Sequence, residues 1–128
     1  MASNLLEVYR GDSDFADIVL YDDDGLVPLD LTNKQVRLTV KRQLGDPDGE
    51  ALFYLDETNG GVIVVDPLQG ECRAVFEGAH TRNIEPGNYW YDIKVCWVDE
   101  NQRERRKTVI YDTFAVLSVV WRGEAEQP

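Results

Sequence analysis

The longest uninterrupted alternation of apolar and polar side chains runs from Tyr89 to Val98, directly after the turn sequence Glu85-Pro86-Gly87-Asn88. Tyr89, Tyr91, Ile93, Val95 and Trp97 share one parity, and a pleated strand sends all five to one face, which is predicted to be buried. Trp90, Asp92, Lys94, Cys96 and Val98 form the other face, polar in the middle and apolar at its ends. Shorter alternations recur on both sides of this strand. Leu5 to Arg10 predicts an opening strand ended by Gly11-Asp12-Ser13-Asp14, and Phe15 to Tyr21 a second with Ala16, Ile18 and Leu20 on one side. Asp22-Asp23-Asp24-Gly25 is an Asp-Gly hairpin signal, and Pro28 to Thr32 reads as an irregular crossing. Gln35 to Arg42 alternates cleanly, as a half-buried antiparallel strand does. Gln43 to Glu50, with Gly45, Pro47 and Gly49 among acids, has the composition of a mobile loop. Ala51 to Asp56, Gly61 to Val65 and Glu71 to Glu77 predict three more strands, and Gly78 to Glu85 a one-turn helical or coil connection. After a hairpin turn at Asn101-Gln102-Arg103-Glu104, Lys107 to Val120 returns as a final strand, expected to bend near Asp112-Thr113, where the alternation slips by one.

Many short strands separated by turn signals read as a sandwich or barrel. The tyrosine directly after the Pro86-Gly87 turn narrows this choice. A tyrosine at that position forms a corner in immunoglobulin-like sandwiches, its hydroxyl closing the preceding connection. The fold class predicted is all-β, an immunoglobulin-like antiparallel β-sandwich of about seven to nine strands with little or no helix. A 3.6-residue period never persists for three turns. Residues 1–121 are expected to form one domain and Arg122 to Pro128 a polar tail.

Composition adds limits. A chain of 128 residues, 43% of them hydrophobic, can bury roughly two-thirds of its unfolded surface without a covalent staple. Asp and Glu outnumber Lys and Arg by 24 to 13, giving a net charge of −11, which repels nucleic acid and anionic membrane surfaces. Neither is expected as a partner. Cys72 lies on the inward parity of its strand and Cys96 on the outward parity, so free thiols are expected, as in a reducing cytoplasm. The N-terminal residues show no signal peptide, and no apolar run approaches bilayer length.

Candidate chemistry is sparse. His80 is the single histidine; it cannot supply a multi-histidine metal site, and its neighbours suggest an ordinary solvated loop. Ser3, Ser13 and Ser118 stand in no nucleophile-elbow pattern. Cys72, beside Arg73, is read as inert packing because it points inward. Placing Gly25 at the glycine of an EF-hand loop puts Leu20 and Leu31 at ligand positions, so that motif is excluded. A calcium site of other geometry, shared with Asp12, Asp14 or Asp17, stays open beside a plain acidic hairpin. The chain is expected to be no enzyme, with no catalytic residue, cofactor or metal. Arg103, Arg105, Arg106 and Lys107 are the one basic concentration, and on an acidic chain they suit a salt-sensitive contact with acidic loops of a neighbouring copy. Trp90, Val98, Arg103, Arg105, Arg106 and Trp121 are the candidate interface residues.

The order of motifs carries a resemblance. Tyr9-Arg10-Gly11-Asp12, Asp24-Gly25, Pro28 to Thr32 and Val36 to Lys41 resemble the opening of the immunoglobulin-like domain at the N-terminus of bacteriophage baseplate upper proteins. Gly61 to Pro67 with Gly70, Thr81 before Ile84 to Ile93, and Thr108-Val109 leading to Phe114-Ala115-Val116 are similar to its later units. The resemblance covers about residues 5 to 120 and implies a structural role. The expectation is a phage tail or baseplate-associated protein in the virion, made in the bacterial host cytoplasm, contacting other tail or baseplate proteins as a homo-oligomer. Members of this kind are often longer, with distal parts that contact the receptor; a sequence ending at Pro128 points to a connector, plug or decoration. The alternative is a carbohydrate-binding or adhesin-like module, with Trp90, Trp97 or Trp121 stacking on sugar rings.

Overall fold

The computed structural model describes residues 5–22 and 25–118. Each alternating segment becomes a strand: β1 (Leu6–Tyr9), β2 (Asp14–Val19), β3 (Gln35–Lys41), β4 (Phe53–Asp56), β5 (Val62–Asp66), β6 (Glu71–Phe76), β7 (Gly87–Val98) and β8 (Glu104–Leu117). The helical content comprises α1 (Gly78–Thr81), between β6 and β7, and the 3-10 turns Asp48–Glu50 and Pro67–Gln69. Strands β1-β8-β7-β3-β4 make one sheet and β2-β6-β5 the other. All pairs are antiparallel except β1 with β8, which run parallel from Leu6 opposite Phe114 to Tyr9 opposite Leu117. The division sets the second, sixth and fifth strands against the eighth, seventh and third. This is the B-E-D against G-F-C arrangement of an immunoglobulin-like sandwich, with β4 added beside C as in variable-type domains.

The inward parity of each strand supplies the core. Val36, Leu38 and Val40 of β3, Tyr91, Ile93 and Val95 of β7, and Phe114 and Val116 of β8 are buried against Cys72, Ala74 and Phe76 of β6. Phe76 and Phe114 lie 5.5 Å apart, and Phe53 meets both edge-on. Each large aliphatic or aromatic side chain so buried contributes about 1.5–3 kcal/mol, and the β-branched residues of β3 and β7 suit the pleated surface. The predicted corner is present: the Tyr89 hydroxyl donates to the Glu85 carbonyl at 2.5 Å. Gly70, after the 3-10 turn Pro67–Gln69, has φ of +66° and accepts a hydrogen bond from the Leu20 N–H at 2.9 Å. A Cβ there would collide with the carbonyl oxygens of Leu20 and Leu29.

Two local expectations are corrected. The irregularity in β8 lies not at Asp112-Thr113 but at Val109, the extra residue between Ile110 opposite Ile93 and Thr108 opposite Lys94. An aromatic such as Tyr111 suggests an inward position. It points outward and is 61% exposed, while Asp112 takes the inward position opposite Tyr91. The segment 43–50 is no loose loop either. It forms the 3-10 turn Asp48–Glu50 and closes over the outer face of the five-stranded sheet through Asp48.

Candidate interaction surfaces

The β7–β8 hairpin collects most of the predicted interface residues, and strand register decides how they are shared. Arg106 stands opposite Cys96 on the outer face, with Val98 opposite Glu104 on the same face. Arg105 stands opposite Trp97 on the other side, so the two neighbouring arginines point apart. The Arg105 Nε donates to the Asp99 carboxylate at 2.9 Å, and Asp99 also accepts the Asn101 and Arg103 N–H groups. These bonds, led by the Arg103 N–H and followed by the Arg105 guanidinium, hold the Asp99 carboxyl below its ordinary value. One arginine is thus neutralised within the turn. Among the described residues no ion pair engages Arg103 or Arg106. A cleft of about 390 Å³ at the root of the hairpin is lined by Asn33, Gln35, Cys96, Trp97, Val98 and Glu104. Trp97 is half-buried there, with the Lys34 ammonium 5.8 Å from its ring centre.

Trp90 does not join this group. Val98 lies eight positions further along β7, about 27 Å at the rise of an extended strand. It is 36% exposed at the other end of the outer face, opposite Lys41 and Thr113. The predicted interface therefore divides into a hairpin part and a Trp90 part. Trp121 lies outside the described residues.

Between the two parts, the outer face is sealed by charges. Lys41 bonds Asp48 at 2.9 Å and Asp92 at 3.3 Å, and Lys94 reaches the same two carboxylates at 3.4 and 3.2 Å. Lys41 and Asp92 are each 5% exposed and Thr39 is fully buried. Burial opposes the Lys41 charge, but Asp48 and Asp92 outweigh it and hold the ammonium above its ordinary value. The hydrogen bond from Lys41 lowers the Asp48 carboxyl against its own desolvation, with help from Lys94. Outward parity thus does not mean exposure here. Sequence reading missed this cluster because alternation reports which face a residue takes, not what covers it; the only hint was an acidic loop following Lys41-Arg42. Beside the cluster, the Arg37 guanidinium lies 3.9 Å from the ring centre of Tyr54.

The residues considered for chemistry are occupied elsewhere. His80 is not a solvated loop residue: it is half-buried in α1, stacked on Phe53 at 4.9 Å, with Nδ1 accepting the Glu77 N–H at 3.0 Å. It forms a reciprocal cap with Glu77, whose side chain accepts the His80 N–H. Burial pushes its imidazole below the ordinary value, against the pull of the Glu77 charge. Cys72 is buried in the core, where desolvation first and then Glu57 and Asp17 push its thiol up to about 11. Cys96 is half-buried on the opposite sheet, and both are free cysteines. Asp17 is held by Arg73, and no group of three or more metal-ligating side chains assembles among the described residues. Asp23 and Asp24 of the calcium alternative lie outside the described residues.

Neither a known protein family nor a curated protein matches the sequence. Among solved structures, murine CRIg is similar with a TM-score of 0.44 and 10% identity, over 90% of this chain and 92% of that one.

Proposed function

We propose that this chain is a non-enzymatic structural protein of a bacteriophage tail or baseplate, held in the virion by contacts with other tail proteins and with copies of itself. The observation that carries the reading is the β7–β8 hairpin, which presents Arg103 and Arg106 with no ion pair among the described residues on a chain of net charge −11. Such a tip is attracted to acidic surfaces that the rest of the chain repels, so it orients the encounter. The motif order from Tyr9 to Val116 supports placing that partner in a tail assembly.

The test is assembly in the producing phage. The protein is expected in purified particles by mass spectrometry, and an Arg103→Glu, Arg106→Glu chain is expected to be lost from them while keeping its circular dichroism. Particles lacking the wild-type protein overturn the proposal. The alternative, a carbohydrate-binding or adhesin-like module, rests on Trp90 and Tyr111, which share the outer face on neighbouring strands. Exposed aromatic rings suit stacking on a sugar ring. A change in tryptophan fluorescence on adding glycans, lost in Trp90→Ala, would favour it.

A further inference from the structure

Segment 43–50 crosses the outer face of the five-stranded sheet between two points that lie side by side, since the Leu52 N–H donates to the Val40 carbonyl at 2.8 Å. A loop with adjacent ends can swing without moving the strands that carry it. Its hold on the sheet is a single carboxylate. Asp48 Oδ1 lies 2.9 Å from the Lys41 ammonium and 3.4 Å from that of Lys94. Among the described residues, the segment's other polar contacts are internal, as from the Gln43 N–H to Asp46 at 3.2 Å and from the Glu50 N–H to the Pro47 carbonyl at 2.9 Å. Packing adds little. No residue from 43 to 50 is buried, Leu44 is 37% exposed, and the half-buried side chains are those of Asp46 and Asp48. A cavity of about 340 Å³ is lined on one side by Leu44 and Asp46 and on the other by Lys94, Thr108 and Tyr111.

We propose that this segment is a strap with an electrostatic clasp, which lifts off as a unit while the sandwich stays folded. Opening removes Asp48 from both ammoniums, but Lys41 and Lys94 keep Asp92 between them at 3.3 and 3.2 Å, so no charge is stranded. The apolar surface released is small, and it is burial of such surface that holds most of a fold in place. One atom gains. Asp92 Oδ1 is buried without a hydrogen-bond partner, in a side chain that lines the cavity, and water admitted by opening satisfies it. Salt gives the device its direction. The clasp is an attraction between opposite charges and weakens with screening, whereas the fold as a whole carries −11 and gains from the same screening. Opening leaves two ammoniums facing one carboxylate on the face that also carries Arg106, and closing masks them with Asp48. The strap operates whether or not the chain belongs to a tail, since both halves of the clasp lie within it.

Hydrogen exchange of the full chain, followed residue by residue at several urea and salt concentrations, tests this. The Asp46, Glu50 and Ala51 N–H groups all donate within the strap, and they are expected to exchange at a rate indifferent to low urea, as local openings do, while the amides of β7 accelerate with urea as global unfolding does. Raising sodium chloride from about 10 mM to about 0.5 M is expected to speed the strap amides about threefold and to slow those of β7. Asp48→Ala removes the clasp and no cap, since no side chain caps the 3-10 turn. It is expected to speed the strap amides roughly tenfold, to abolish their acceleration by salt and to leave the circular dichroism unchanged. Glu50→Ala removes the same charge but no contact with the sheet, and the acceleration by salt is expected to persist. Strap amides that exchange only with global unfolding, that slow in salt as β7 does, or that ignore Asp48→Ala would each overturn the proposal.

Discussion

Asp92 and Tyr89 are three residues apart on one strand, and their positions require opposite treatment. Asp92 is an outward residue closed off by segment 43–50, and Lys41 and Lys94 pair with it there. Removing one member of a buried ion pair leaves the other without compensation, at a cost of about 3–5 kcal/mol. Asp92→Ala is expected near the lower end, about 3 kcal/mol, because Asp48 remains to hold both lysines; urea unfolding measures it. Tyr89 is an inward residue whose ring packs and whose hydroxyl makes one bond to Glu85. Tyr89→Phe keeps the packing and loses that bond, so about 1 kcal/mol is expected in the same measurement. Gly70→Ala combines a left-handed backbone with a collision against backbone oxygens that cannot swing away. It is expected to cost more than the ordinary penalty of about 1 kcal/mol for alanine at such a site, seen as a fall in Tm.

At the scale of elements, α1 carries a pH dependence. Its cap needs an unprotonated Nδ1 on His80 to accept the Glu77 N–H, and burial lowers the imidazole below its ordinary 6.5. Below that pH the unfolded chain takes up a proton that the folded chain refuses until its own, lower pKa is reached. Stability is therefore complete above 6.5, falls as the pH drops through the window, and levels off beneath it. The urea midpoint is expected to fall as the pH is lowered through 6.5, and His80→Gln to remove that share of the slope. Strand positions were legible from sequence because burying one face imposes a two-residue period, and the corner because a turn and a tyrosine occur in order. The bulge at Val109 and the cover over Asp92 were not. Tyr111 and Asp112 exchange the faces their chemistry suggests, and the loop carrying Asp48 is tied down by Lys41 just before it and by Lys94, distant in sequence. His80 was misplaced for the same reason: Phe53, on which it stacks, belongs to another strand.

For the molecule as a whole, an excess of eleven negative charges keeps copies apart near neutral pH and fades toward the pI near 4.4. Solubility is expected to pass through a minimum close to that pH, measured by turbidity across a titration. The hairpin tip, with Arg103 and Arg106, is a local surface that escapes this repulsion. The parallel seam between β1 and β8 has a different kind of consequence. Among the described residues Leu6 to Tyr9 pair only with residues 114 to 117, so the earliest of these eight strands to be synthesised has to wait for the latest of them before it can dock. Until then Leu6 and Val8 lack their place in the core, and synthesis carries an interval in which an apolar strand is open to wrong partners. A nascent chain arrested before Phe114 is the form of this protein that most needs a chaperone.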